Sequence, residues 1–295
     1  MVGCGWAALR VRAADATSAK GLDAFVYWFA LPCLLVPKVG AAPLGRLLDP
    51  AFSIVCFGPA TIIYFAMLDH GRLAKRGDTA SAAARPLGAA FPNSGYPGIP
   101  LVIAAFGPEA ALAAILAPSL DRLVTTPSTV AAVEAGSGRG GCLATLGRTL
   151  RGVFGDPLVL AAPSGAVPAL GGWSLSGPLR AIAELLGPAT SPCALRAPAT
   201  PPEAVPVDGS FGEIVPVTLV RLLGRPLLVR LAASSVHPVP AEVLRAALGT
   251  ATLPTAATAF VMARRAQRLP ASSTVVLVTR AGSISSLSVL LVWLS

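Results

Sequence analysis

Charge is what this chain has least of. Charged residues fill 13% of its 295 positions, with 23 Lys and Arg, 14 Asp and Glu, and 2 His. A soluble domain carries about 25% charged residues. So little charge cannot cover the surface of a water-soluble globule, and a 54% hydrophobic composition with mean hydropathy +0.70 points to lipid as the solvent. The shortage of histidine removes the usual catalytic base. His70 and His237 are far apart in sequence and fall near expected helix ends, where no nucleophile–base arrangement can be built around them. The five cysteines (Cys4, Cys33, Cys56, Cys142 and Cys193) form no C-x-x-C pair and have no histidine at ligand spacing, so buried, inert thiols are the expectation. A cleavable signal peptide is not visible, because Met1 to Ala8 lacks a full apolar core and is followed at once by Arg10 and Arg12. The net charge of +9 does not imply nucleic acid. The basic residues sit in short clusters between apolar runs, with no basic face interleaved with aromatics.

What the chain does have is a series of Leu/Ala/Val-rich runs, near 22–40, 47–69, 83–106, 109–134, 153–173, 179–204, 211–233, 238–263 and 272–295. In lipid, backbone polar groups must be satisfied internally, so only helices and closed barrels span. A barrel strand needs about 10 residues of alternating polarity and a helix about 20 apolar ones, so these runs read as helices. A stub at 1–9 reads as the end of one more, giving ten segments with the first truncated. The expected fold is therefore an all-α, polytopic membrane protein. The basic residues test this. Arg10, Arg12, Lys20, Arg72, Lys75, Arg76, Arg85, Arg139, Arg148, Arg151, Arg264, Arg265 and Arg268 fall in alternate loops, whereas the other loops hold Lys38, Arg46 and Arg180. A bias of 13 against 3 places the first set in the cytoplasm and both chain ends outside a cell membrane.

An internal repeat is also visible. Pro32-Cys33-Leu34-Leu35 matches Pro192-Cys193-Ala194-Leu195 at an offset of 160, and Phe91-Pro92-Asn93 matches Leu253-Pro254-Thr255 at an offset of 162. The expected organisation is a first five-helix repeat over 1–135, a cytoplasmic loop over 136–152 and a second repeat over 153–295. An odd number of helices per half turns the second repeat upside down, a common transporter design.

The stretch Phe91-Pro92-Asn93-Ser94-Gly95-Tyr96-Pro97-Gly98-Ile99-Pro100-Leu101 lies in the middle of an apolar run. Its prolines and glycines cannot continue a regular helix. Unwound backbone at membrane depth is tolerated only where protein encloses it, so the stretch reads as a cavity lining rather than a packing kink. A half-helix starting near Pro100 would present free N–H groups and a positive dipole end, and Asn93 adds an amide, which together suit a carboxylate. Leu253-Pro254-Thr255 is the gentler counterpart. Acidic residues inside membrane segments are functional candidates, and Asp121 is the best of them, with local compensation by Arg122 as the alternative. Glu109, Glu134, Glu184 and Glu213 read as solvated or interfacial. Gly136-Ser137-Gly138-Arg139-Gly140-Gly141 satisfies G-x-G-x-x-G, but it lies in a loop without the required strand, so no nucleotide site is expected.

These residues resemble the auxin efflux carrier family of permeases. The matching stretches are DAFVYWFALPCLL (23–35), FPNSGYPGIPLVIAAFG (91–107), the Asp121 region and LPTAATAFVMA (253–263), within a likeness that runs from about Trp6 to the C-terminus. The resemblance implies ten helices in two inverted five-helix repeats, with broken fourth and ninth helices crossing at a substrate site. It implies a secondary transporter of small organic anions, mono- or dicarboxylates, with no bound cofactor. By position, Asn93, Ser94, Gly95, Gly98 and Pro100 belong to the first crossover and Pro254 and Thr255 to the second, as substrate-binding candidates. Asp121 is the candidate for a coupling proton or sodium ion. The implied partners are the lipid bilayer and the substrate; a homodimer is left open. Arg196, Arg230 and Arg280 fall within expected membrane segments, where each costs about 2.5–3.5 kcal/mol at mid-membrane. They keep a second reading in view, a degenerate family member that does not transport. A membrane enzyme has no candidate site.

Overall fold

The computed structural model describes residues 16–41, 49–73, 86, 88–94, 98–107, 110, 113–117, 121, 124–125, 127–129, 131, 147, 150–152, 154–173, 175–194, 211–236, 239–256 and 270–294. Among them the chain is helical throughout, with one isolated antiparallel bridge and no strand. Helix α1 (Ala16–Phe25) continues through a π-helical turn, Val26–Ala30, into α2 (Leu31–Gly40). Helix α3 (Pro50–Leu73) follows, then a broken helix whose second part is α4 (Ile99–Phe106). Helical residues 113–117, 121, 124–125, 127–129 and 131 come next. Helices α5 (Pro157–Leu170), α6 (Gly177–Leu186) and α7 (Thr190–Ala194) lead to α8 (Phe211–Leu219), which passes through a second π-helical turn, Val220–Gly224, into α9 (Arg225–Ser235). Helices α10 (Ala241–Ala251) and α11 (Pro270–Leu294) complete the order.

The helix starts are written into the sequence. Asp49-Pro50 opens α3 and Asp156-Pro157 opens α5 by the same device. The carboxylate accepts the N–H two residues on, at 2.9 Å from Ala51 N and 2.9 Å from Leu158 N. The proline lacks an N–H at the one place where it would be unsatisfied anyway. Gly107, at φ 86, ends α4.

Two described helices are long and apolar enough to cross a membrane, Gly21–Gly40 and Pro50–Gly71, and Pro157–Leu170 and Thr274–Leu290 are shorter apolar ones. The remaining expected segments differ for local reasons. The run 83–106 is interrupted by its own prolines. The run 211–233 forms an unbroken helix from Phe211 to Ser235, but it carries Arg221, Arg225 and Arg230. The stub at 1–9 and the loop 136–146 lie outside the described residues.

Packing divides the helices into two groups. Helix α2 lies along α5 and α6. Helix α3 lies along α9 and α10, α8 along α11, and α10 along α4. Helix α7 reaches from the first group to α4 of the second. The first group is joined by small residues. A Cβ on Gly165 of α5 would lie 2.5 Å from the Val36 carbonyl oxygen and 3.0 Å from Val39 Cβ, and one on Gly40 would lie 3.3 Å from the Gly165 oxygen. Small residues let helix backbones approach closely in lipid, where dispersion rather than hydrophobicity holds helices together. Gly165→Val should therefore destabilise the protein by about 1–3 kcal/mol through overpacking. Thermal unfolding in detergent should show a lowered Tm, with no shift for Gly177→Ala, whose Cβ would meet nothing within 4 Å. Equal Tm values for the two variants would contradict the close α2–α5 approach.

Candidate functional site

The first break begins at Phe91. Pro92 cannot donate to the helix and pushes the residue before it out of the helical region, so the helical residues 88–90 stop at Ala90. Helical geometry is present again at Ser94 and at Gly98, both π-helical, and passes into α4 with Pro100 in its first turn. The second break obeys the same rule: α10 ends at Ala251 and Leu253 precedes Pro254.

The two breaks lie antiparallel against each other. Pro92 sits opposite Thr255. The Asn93 N–H donates to the Pro254 oxygen at 2.8 Å, and the Ala256 N–H donates to the Phe91 oxygen at 3.1 Å. These bonds alone leave the helix ends unsatisfied, since the last carbonyls of each helix have no intrahelical donor. Side chains fill the gap. Thr255 Oγ1 donates to the Gly88 oxygen at 2.7 Å, and Thr279 Oγ1 of α11 accepts from the Thr255 N–H at 3.2 Å. Arg225 Nη1 donates to the Ala90 oxygen at 2.9 Å. Arg221 donates to the Leu253 oxygen through Nε at 3.0 Å and through Nη2. Each arginine places positive charge at a helix C-terminus, where the macrodipole is negative.

Arg221 and Arg225 stand four residues apart, one inside the π-helical turn and the other opening α9. Neither is exposed beyond 2%. One helix thus serves both breaks. Arg225 Nη2 also pairs with Asp121 Oδ2 at 2.8 Å, with side chains 3% and 2% exposed. The Asp121 turn is held by a ladder of hydroxyls. Thr125 Oγ1 donates to the Asp121 carbonyl at 2.6 Å, Thr129 Oγ1 donates to the Thr125 carbonyl at 2.7 Å, and Tyr64 of α3 hydrogen-bonds Thr129 Oγ1 at 2.8 Å.

Most of the sequence candidates meet here. Asn93, Pro254, Thr255 and the Gly98 start of α4 surround the crossing, and a Cβ on Gly98 would collide with the Leu253 side chain. Ser94 is buried, and its hydroxyl has no hydrogen-bond partner among the described residues. Pro100 is buried in the first turn of α4. Gly95 lies outside the described residues, as does Arg122. Asp121 takes its charge partner from Arg225, 104 positions along the chain. Sequence reasoning missed Arg221 and Arg225. Their signal was present, because an ionisable residue inside an apolar segment is a functional candidate whatever its sign. Of the arginines it did raise, Arg230 is exposed on α9 and Arg280 is half-buried on α11. Cys56 is buried as expected, but Cys33 and Cys193 are only half-buried. Among the described residues no group of His, Cys, Asp or Glu is placed to hold a metal.

A helical chain with two opposed, charge-sealed breaks in apolar helices has the architecture of a membrane transport protein. A family model described as membrane transport protein matches residues 1–154, over half of the chain. The chain belongs to this family, the auxin efflux carrier family, and is a membrane transporter rather than an enzyme. A protein of Rhizobium meliloti (strain 1021) named "Putative malonate transporter" is 27% identical over 246 residues, which cover 83% of this chain and 77% of the relative.

Removing one member of a buried ion pair leaves the other uncompensated, at about 3–5 kcal/mol. Arg225→Met should therefore cost about that much stability. The double variant Asp121→Asn/Arg225→Met should recover part of the loss, read by denaturant unfolding in detergent. Additive losses would show that the two side chains are not coupled.

Proposed function

We propose that the chain is a secondary transporter that carries small organic anions, mono- or dicarboxylates, by alternating access across a cell membrane. The observation that carries this reading is the antiparallel meeting of the two breaks at Pro92 and Thr255. Irregular backbone at membrane depth costs several kcal/mol per unsatisfied group, and it persists where it builds a binding site. The two breaks lie at repeat-equivalent positions, 91–93 and 253–255. That supports two inverted five-helix repeats, 1–135 and 153–295, joined by a cytoplasmic loop at 136–152, in a multi-pass chain of about ten helices.

In this reading the substrate binds at the crossing, contacted by Asn93, Ser94, Gly95, Gly98 and Pro100 from one break and by Pro254 and Thr255 from the other. The helical segment that follows the first break, present from Ser94, turns its positive dipole end toward a carboxylate. The Asn93 side chain makes no hydrogen bond to the described residues and is half-buried, so its amide is available to a ligand. Helices α3, α4 and α8 to α11 form the mobile unit, and α2, α5 and α6 the scaffold against which it rocks. Asp121 is the coupling residue. A proton or sodium ion arriving there competes with Arg225 and so reports directly on the helix end at Ala90. The relative named for malonate supports a dicarboxylate as the first substrate to try.

Asn93→Ala should abolish uptake of labelled malonate into proteoliposomes while leaving expression and membrane insertion intact. Wild-type transport rates in that variant would remove Asn93 from the site.

A further inference from the structure

The charges around the crossing do not balance. The buried charged side chains among the described residues are Asp121, Arg221 and Arg225. Asp121 is matched to Arg225 at 2.8 Å. Arg221 has the Leu253 carbonyl, which is a dipole and not a countercharge. Among the described residues the cluster therefore keeps one surplus positive charge in a fully buried position, with Arg221 0% exposed. A guanidinium is protonated at any physiological pH, so it cannot relieve the burial by losing its proton. An anion can.

The hydrogen-bond inventory points to the same place. Arg221 Nη1 has no partner among the described residues, and neither has the hydroxyl of Ser94, which is 1% exposed. Buried donors of this kind are normally satisfied, and leaving one open is costly. Both residues lie beside Leu253. Arg221 holds its carbonyl oxygen, and its side chain packs where a Cβ on Gly98 would be, 3.3 Å from Ser94 Cβ. A cation and a residue with an unpartnered hydroxyl thus flank one residue of the second break.

We propose that Arg221 is the countercharge for a carboxylate of the transported molecule, bound through its free Nη1 edge, with the Ser94 hydroxyl as a neutral donor. Arg225 is the fixed partner, because Asp121 already neutralises it. Arg221 has two roles in this arrangement, closing the Leu253 carbonyl through Nε and Nη2 and presenting the other edge of the fork to the ligand. The inference rests on the carrier reading for its substrate, but it can fail separately.

Binding is measured on purified full-length protein in detergent, as the Tm shift produced by malonate, with neutral malonamide as the control. Malonate should stabilise the wild type saturably and malonamide should not. Arg221→Gln can still donate to Leu253, so its unliganded Tm should stay near wild type while its malonate affinity falls about tenfold or more. Arg221→Lys keeps the charge without the fork and should bind with intermediate affinity, which keeps the test open if the glutamine variant fails to fold. The proposal is overturned if malonate has no effect on the wild type, if malonamide works as well, or if both variants bind malonate as the wild type does. Transport is scored separately in proteoliposomes. Malonate binding by the wild type that depends on Arg221, without transport, supports the Arg221 site and overturns the carrier reading. Transport with an unchanged KM in Arg221→Gln overturns the Arg221 site and leaves the carrier reading standing.

Discussion

The structure depends on finding hydrogen-bond partners for backbone groups that two broken helices leave open in a water-poor interior. In hydrocarbon an unsatisfied peptide group costs several kcal/mol, so a break is tenable only if its loose ends are tied. The ties are shared rather than local. Phe91 and Asn93 of one break bond to Ala256 and Pro254 of the other, and the hydroxyl of Thr255 closes Gly88 across the crossing. Neither break is satisfied alone. The isolated bridge at Pro92 and Thr255 is therefore the point where two otherwise untenable segments complete each other.

The arginines extend this argument. An arginine at mid-membrane costs about 2.5–3.5 kcal/mol on insertion scales. Hydrogen bonds to charged groups return about 1.5–3 kcal/mol each, and these two side chains make bonds to Ala90, Leu253 and Asp121. The cost is thus of the same size as what the bonds return. Geometry decides the choice of residue, since a threonine hydroxyl closes a carbonyl in its own turn, as Thr250 does, or on backbone that touches it, as Thr255 does at Gly88. A guanidinium reaches a neighbouring helix and can hold two acceptors. Because both arginines lie on one helix, the two breaks are tied to a common element. Any motion of the crossing must carry α8 and α9 with it.

Much of this was legible in the sequence, and the reasons for what was not are physical. The breaks were readable because proline and glycine act on backbone geometry at their own positions, without reference to neighbours. The pairing of the breaks was readable because the two halves share a pattern at nearly constant spacing. The partner of Asp121 was not readable. Proximity along the chain favoured Arg122, whereas packing brought in Arg225 from 104 positions away. Arg221 and Arg225 were passed over because the surrounding residues are apolar enough to count as an ordinary membrane segment. Misplaced arginines were sought as signs of decay, and these two instead hold the crossing together. The run 83–106 shows the same limit from the other side. Its composition is that of a spanning helix, and its chemistry is that of two half-helices with a junction between them.

An asymmetry within the arginine pair links the fold to its use. Arg225 donates to a carbonyl through Nη1 and to a carboxylate through Nη2, so its charge is balanced where it ties the first break to the Asp121 turn, although its Nε has no partner among the described residues. Arg221 is engaged only by a carbonyl and retains an open edge. A ligand can shift a conformational equilibrium only by its differential affinity for the two states. A cation that already has its countercharge offers an anion little in either state. The open cation is the part of the crossing whose energy changes when an anion arrives, and under the proposed function that change is what binding would use. With the surplus charge neutralised, a unit that carries α4 and α8 to α11 past the scaffold moves with less net charge in a low-dielectric interior, where an isolated charge is most costly. The interaction that seals the fold and the one that would drive transport then meet in the same side chain, on opposite edges of its guanidinium.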